Sequence, residues 1–161
     1  MRAWGALLLL ALVDSSAAQG ELRQNPFNDP FAQATAGMPC PAPRGPAYDA
    51  AEIRQEEHSR VERGTTCWLN GLCKEPNAYR YDKPNAEAAL KLLRDAPELA
   101  GTSIWIIAER RFIYLQGCVA TADQAARAEA LMHTLPDVQI VIPMMALPGE
   151  EPRYPLAVKT Q

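Results

Sequence analysis

Between residues 103 and 119 the chain switches from helical to two-residue periodicity. That switch restricts the possible folds more than any other feature. Ile104, Ile106 and Ala108, then Ile113, Leu115, Gly117 and Val119, alternate with a second set of side chains, predicting strands over 103–109 and 112–119. Before them, Pro84 near a helix start precedes an apolar face of Ala86, Ala89, Leu90 and Leu93, which Pro97 ends. After them, Thr121 with Gln124 forms a capping box that opens a helix with Ala125, Ala128, Leu131, Met132 and Leu135 on its buried side. Pro136-Asp137 stops that helix, and residues 138–147 are apolar nearly throughout, as in a strand covered on both faces. The order is helix, strand, strand, helix, strand.

Strands covered by helices on one side should be polar on the other. Here Trp105, Ile107, Phe112 and Tyr114 occupy the positions expected to be polar, and Ile140, Ile142 and Met144 extend the same face from the last strand. Each large side chain contributes roughly 1.5–3 kcal/mol when fully buried, so such a face is not left in water without cause. Either residues 40–81 cover it within the chain, or it is a partner surface. Cys118 lies on this face and requires a nearby cysteine, which favours cover from within.

The start of the chain bears on location. Arg2, the apolar run AWGALLLLALV and the small residues Ser16-Ala17-Ala18 have the three parts of a secretory signal peptide, assigned to residues 1–18. The run is shorter than the ~20 apolar residues of a membrane span, so the mature protein is expected to be exported without a transmembrane segment. Export turns Cys40, Cys67, Cys73 and Cys118 into candidates for two disulfides. The spacing of Cys67 and Cys73 does not suit zinc, and neither His58 nor His133 lies at a ligand-like distance in sequence. No C-x-x-C redox pair is present.

Asn70-Gly71, between Cys67 and Cys73, is a hairpin-turn signal. A two-residue loop would turn the two cysteines to opposite sides and send both to distant partners. A three-residue loop with Gly71 left-handed would place Cys67 opposite Cys73 and leave Cys40 for Cys118. The second register is the preferred expectation.

The rest of the mature chain divides further. Residues 19–48 carry Asn25-Pro26-Phe27, Asp29-Pro30-Phe31 and a proline-rich run, and read as an extended linker with two hydrophobic anchors. Residues 49–83 read as a polar helix over 49–63, opened by a capping box of Asp49 and Glu52, followed by the cysteine hairpin. The charges from Arg54 to Arg63 read as a solvated face. Residues 149–161 read as a tail.

The succession Ile104-x-Ile106-x-Ala108, Ile113-x-Leu115-x-Gly117-x-Val119, a capped helix with Ala128 and Leu135, and then Val138 resembles a BON domain over residues 84–148. The Leu115-x-Gly117-x-Val119 strand running into the capped helix is the most specific piece. The chain departs from the family pattern in three places: Arg110-Arg111 stand where glycine is usual in the hairpin turn, Asp137 where glycine is frequent, and Pro143 where asparagine is frequent. Proline donates no ladder bond, so the last strand is expected at an edge or bulged. The resemblance implies an α+β fold, a three-stranded mixed sheet with two helices on one face (αββαβ), here preceded by a disulfide-containing extension. It also implies a non-enzymatic envelope module that contacts proteins or phospholipid.

The residues themselves agree with a non-enzyme. The P-loop, G-x-S-x-G, H-E-x-x-H and dinucleotide-loop patterns are absent from the sequence. Glu109, Asp123 and Glu98 fall at turns and helix ends, and no catalytic, cofactor or metal residue is assigned. A net charge of −3 gives no nucleic-acid footprint. Arg110 and Arg111, beside Phe112 and Trp105, are the candidate lipid contact, because anionic headgroups attract basic residues at about 1 kcal/mol each. Residues 84–161, however, hold seven basic and nine acidic side chains. A scaffold role through an envelope protein partner is therefore the first expectation, and phospholipid binding in envelope integrity or osmotic stress the second.

Overall fold

The computed structural model of the protein describes residues 21–157. The segment read as a signal peptide, 1–18, lies outside the described residues. Three short strands, β1 (Arg23–Gln24), β2 (Phe31–Gln33) and β3 (Ala47–Tyr48), precede the helix α1 (Ala50–Leu69). Helix α2 (Asp82–Asp95) then leads to β4 (Ser103–Glu109), β5 (Phe112–Cys118), α3 (Ala122–His133) and β6 (Ile140–Ala146). Among the described residues no helix is long and apolar enough to cross a membrane.

Strands β4 and β5 pair antiparallel with Ile106 opposite Leu115, so the alternating set keeps to one face across the hairpin. The crossover through α3 brings β6 back parallel to β5, with Val141 opposite Ile113. Helices α2 and α3 cover that face. Leu93, Ile104, Ile106, Ile113, Leu115 and Met132 are fully buried between sheet and helices. Thr121 caps α3 by accepting the Gln124 N–H at 3.2 Å, and Gln124 accepts the Ala120 N–H at 2.9 Å.

The sheet has four strands, in the order β2-β4-β5-β6, and not the three expected. The extra strand comes from the linker. Phe31 pairs with Ile107 and Gln33 with Trp105, antiparallel along the outer edge of β4. The carbonyls of Gln33 and Ala34 accept the guanidinium of Arg94, which fastens the segment beside α2. β6 is the other edge. Its Ala146 carbonyl accepts the Val119 N–H at 3.1 Å, so Pro143, out of phase with Ala146, turns its missing donor away from the sheet.

The expected cysteine hairpin is not formed. Helix α1 continues past residue 63 to Leu69, and Asn70-Gly71 ends it. Gly71 takes φ +68°, its N–H donates to the Trp68 carbonyl at 3.0 Å, and the Leu72 N–H donates to the Cys67 carbonyl at 2.8 Å. This is the Schellman motif, which uses the same left-handed glycine that a hairpin loop would. The disulfides join Cys67 to Cys73 and Cys40 to Cys118.

Candidate functional site

The second face of the sheet is largely covered by the chain itself. Phe31 and Gln33 extend it sideways from β2. The chain then descends along the β4 end. The Gly37 N–H donates to the Thr102 carbonyl at 2.7 Å, and the Ser103 hydroxyl donates to the Met38 carbonyl at 2.5 Å. Cys40 bonds to Cys118, Pro43 bridges to Leu156, and the Tyr154 hydroxyl donates to the Pro41 carbonyl at 2.9 Å. Trp105, Ile107, Phe112, Tyr114, Ile142 and Met144 are half-buried as a result, and Ile140 remains 41% exposed.

Arg60 anchors α1 to this assembly. Its guanidinium grips Asp29 with two bonds of 2.7 and 2.6 Å and lies over the rings of Phe27, at 4.1 Å, and Tyr79, at 4.7 Å. Glu56 stands 3.3 Å from its Nε and Glu109 3.7 Å from an Nη, while Glu56 also meets Arg63 at 2.5 Å. Burial works against the Arg60 charge, but the bonds and charge of Asp29 outweigh it and hold the guanidinium protonated. Burial, reinforced by Asp29 and Glu56, raises the Glu109 carboxyl. The Tyr79 hydroxyl, desolvated and facing Glu109, is pushed up to about 12. Reading residues 54–63 as solvated is therefore wrong at Arg60, whose side chain is 13% exposed. The Asn-Pro-Phe and Asp-Pro-Phe tripeptides are used internally. Asn25 closes its turn on the Asp29 backbone in both directions at 2.8 Å, and Phe27 and Asp29 receive Arg60.

Arg110 and Arg111 form the β4–β5 turn at φ +53° and +66°. Two left-handed residues are the type I′ pattern, normally filled by Asn-Gly. The carboxylate of Asp82, 3% exposed, accepts both turn N–H groups, at 2.8 and 3.0 Å, and offsets the strain. The Arg111 guanidinium reaches the carbonyls of Asp137, at 2.9 Å, and Leu72, at 3.3 Å, while Arg110 stacks over Phe112 at 4.6 Å. Arg111 is thus engaged within the chain at two carbonyls.

Burial pushes Asp82 up to about 6, against the bonds from Arg111 and Arg110 that lower it. From its ordinary 3.8 to about 6, the folded state holds a proton that the unfolded chain has released. The resulting stability is complete below that window and lost as pH rises through it. Urea unfolding should show this decline across the window, and Asp82→Asn should flatten it.

The sequence reading did not single out the end of α1. Trp68, Leu69 and Leu72 are 49%, 71% and 67% exposed. The Cys67–Cys73 bridge and the Arg111 bond to the Leu72 carbonyl fix the last turn of α1, with Trp68 and Leu69, against the short turn that carries Leu72. Leu72 shares a hollow with Phe112 and Gln139, next to exposed Ile140. A signal was present, since an apolar Trp-Leu-x-x-Leu inside a cysteine-bounded loop has too few positions to bury them all. Gln116 was also missed, although it shares the phase of Tyr114 and stands as a polar residue on an apolar face.

No curated protein and no solved structure matches the chain. The family model of the BON domain matches residues 82–148. The match begins at Asp82, the acid beneath the arginine turn, and ends two residues beyond β6. The four-stranded sheet therefore combines three strands of the matched region with one from outside it. Residues 82–148 thus match the BON domain in a single copy, a match that points to an envelope-associated binding module of a generally non-enzymatic family.

Proposed function

We propose that this protein is an exported, non-enzymatic binding or scaffold module of the bacterial cell envelope, acting in the periplasm through protein–protein contacts in a larger assembly. One observation carries this reading: the disulfide-stapled end of α1 that presents Trp68, Leu69 and Leu72 to solvent. Exposed apolar groups clustered this way mark interaction sites, and tryptophan is enriched among residues that dominate interface energies. Fixing this end before contact reduces the ordering cost of association. The signal segment 1–18 and the two disulfides fit export to an oxidising compartment.

The alternative is phospholipid contact in envelope maintenance, with Arg110 and Arg111 at the headgroups. It is less well supported, because Arg111 is spent on two backbone carbonyls. Co-sedimentation with anionic phosphatidylglycerol vesicles separates the two readings. The protein reading predicts little binding at physiological salt, together with capture of an envelope protein that Trp68→Ser/Leu69→Ser/Leu72→Ser reduces at least tenfold. Strong, salt-sensitive vesicle binding would reverse the assignment.

A further inference from the structure

A separate cleft opens on the covered face of the sheet. Pro46, Tyr48, Ile107, Glu109, Tyr114, Gln116, Met144 and Pro155 enclose about 270 Å³. That is below the ~300–1,000 Å³ of clefts that take drug-sized ligands, and suits a single side chain or a small molecule. Its walls are apolar, but its polar groups are unusual for a surface hollow. Gln116, 5% exposed, carries a side-chain oxygen with no hydrogen-bond partner. A buried acceptor left unpaired is costly, and such groups in native proteins call for a reason.

The charge nearby is also unbalanced. Among the described residues Asp29, Glu56 and Glu109 form ion pairs only with Arg60 and Arg63. Asp29 holds Arg60 by two bonds and Glu56 holds Arg63 at 2.5 Å, so Glu109, 3.7 Å from Arg60, is the least neutralised of the three carboxylates. It is also the one that lines the cleft. The hydroxyl-bearing rings of Tyr48 and Tyr114 complete the lining.

We infer that this cleft binds a primary ammonium carried on a short apolar stem, as in a lysine side chain or a small alkylamine. The stem lies along Ile107, Met144 and the two prolines. The ammonium, with three donors and no acceptor, meets Glu109 and a tyrosine hydroxyl, and gains the unpaired Gln116 oxygen, itself closed to solvent, by a turn of that amide toward the cleft. The planar fork of a guanidinium suits bidentate partners, and the carboxylate here is already approached by Arg60. This inference concerns a different site from the end of α1 and does not depend on the role proposed there.

The test is titration of the isotope-labelled mature protein, followed by NMR, with n-butylammonium, acetyl-Ala-Lys-Ala-amide and the uncharged n-butanol. Saturable shifts at Ile107, Tyr114, Gln116 and Met144 are expected from both amines, with n-butanol at least tenfold weaker. Glu109→Gln should weaken the amines about tenfold and leave n-butanol unchanged. Gln116→Met keeps the volume and removes the acceptor, and should weaken the amines several-fold even if Glu109→Gln disturbs folding. A peptide at least tenfold tighter than n-butylammonium identifies a polypeptide lysine as the natural occupant, whereas equal affinities identify a free amine. Absence of saturable shifts, equal binding of n-butanol, or amine binding unchanged in both variants would overturn the inference.

Discussion

Gly117→Ala is expected to destabilise the protein by at least about 4 kcal/mol, lowering Tm by roughly 10–15 °C. Gly117 lies inside β5 at φ +126°, and a Cβ built there would sit 2.0 Å from the Ser103 carbonyl oxygen. The obstruction is backbone of the paired strand β4, so no rotamer change relieves it. The strand must separate or Gly117 must leave a conformation that side chains rarely adopt. Gly101→Ala is the internal control, because a Cβ there meets nothing within 4 Å. It should change stability by no more than about 0.5 kcal/mol. Urea unfolding of both variants decides the matter. The glycine of Leu115-x-Gly117-x-Val119 thus has a physical reason that requires no ligand.

Cys40→Ser/Cys118→Ser is expected to cost about 4–5 kcal/mol, against about 2 kcal/mol for Cys67→Ser/Cys73→Ser, on the chain-entropy account of cross-links. The first bridge spans 78 residues and the second 6. The larger loss has a structural counterpart. Cys40 ties down the segment that continues through Pro43, Pro46 and Tyr48 across the second face. Release of that segment should raise solvent exposure around Ile107, Tyr114 and Met144, readable as faster amide exchange in β4 and β5. Equal denaturant midpoints for the two double variants would contradict this account of what holds the cover in place.

Much of the helix-covered half was legible because its physics is local and periodic. The alternation of Ile104 through Val119 placed β4 and β5, and Thr121 with Gln124 marked the start of α3. The α2 start was less legible. The helix begins at Asp82, two residues before Pro84, because Asp82 answers to the arginine turn and not to its neighbours in sequence. The same non-locality hid β2, whose three residues between prolines carry no period and become a strand only against β4. Arg60 looked like one more solvent charge because its partner Asp29 lies 31 residues earlier. Asn70-Gly71 misled for another reason: a left-handed glycine serves a hairpin and a helix C-terminus equally well, and only the helical residues before it decide between them.

Docking of a protein on Trp68, Leu69 and Leu72 is the role proposed for the end of α1. The most direct measurement places a photo-activatable cross-linking residue at position 69 of the full-length protein and irradiates intact cells. The expected result is a discrete polypeptide adduct that unlabelled wild-type protein competes away and Trp68→Ser/Leu72→Ser protein does not. Adducts to phospholipid alone, or none above those of a cross-linker placed at exposed Glu57 on the same helix, would contradict the claim.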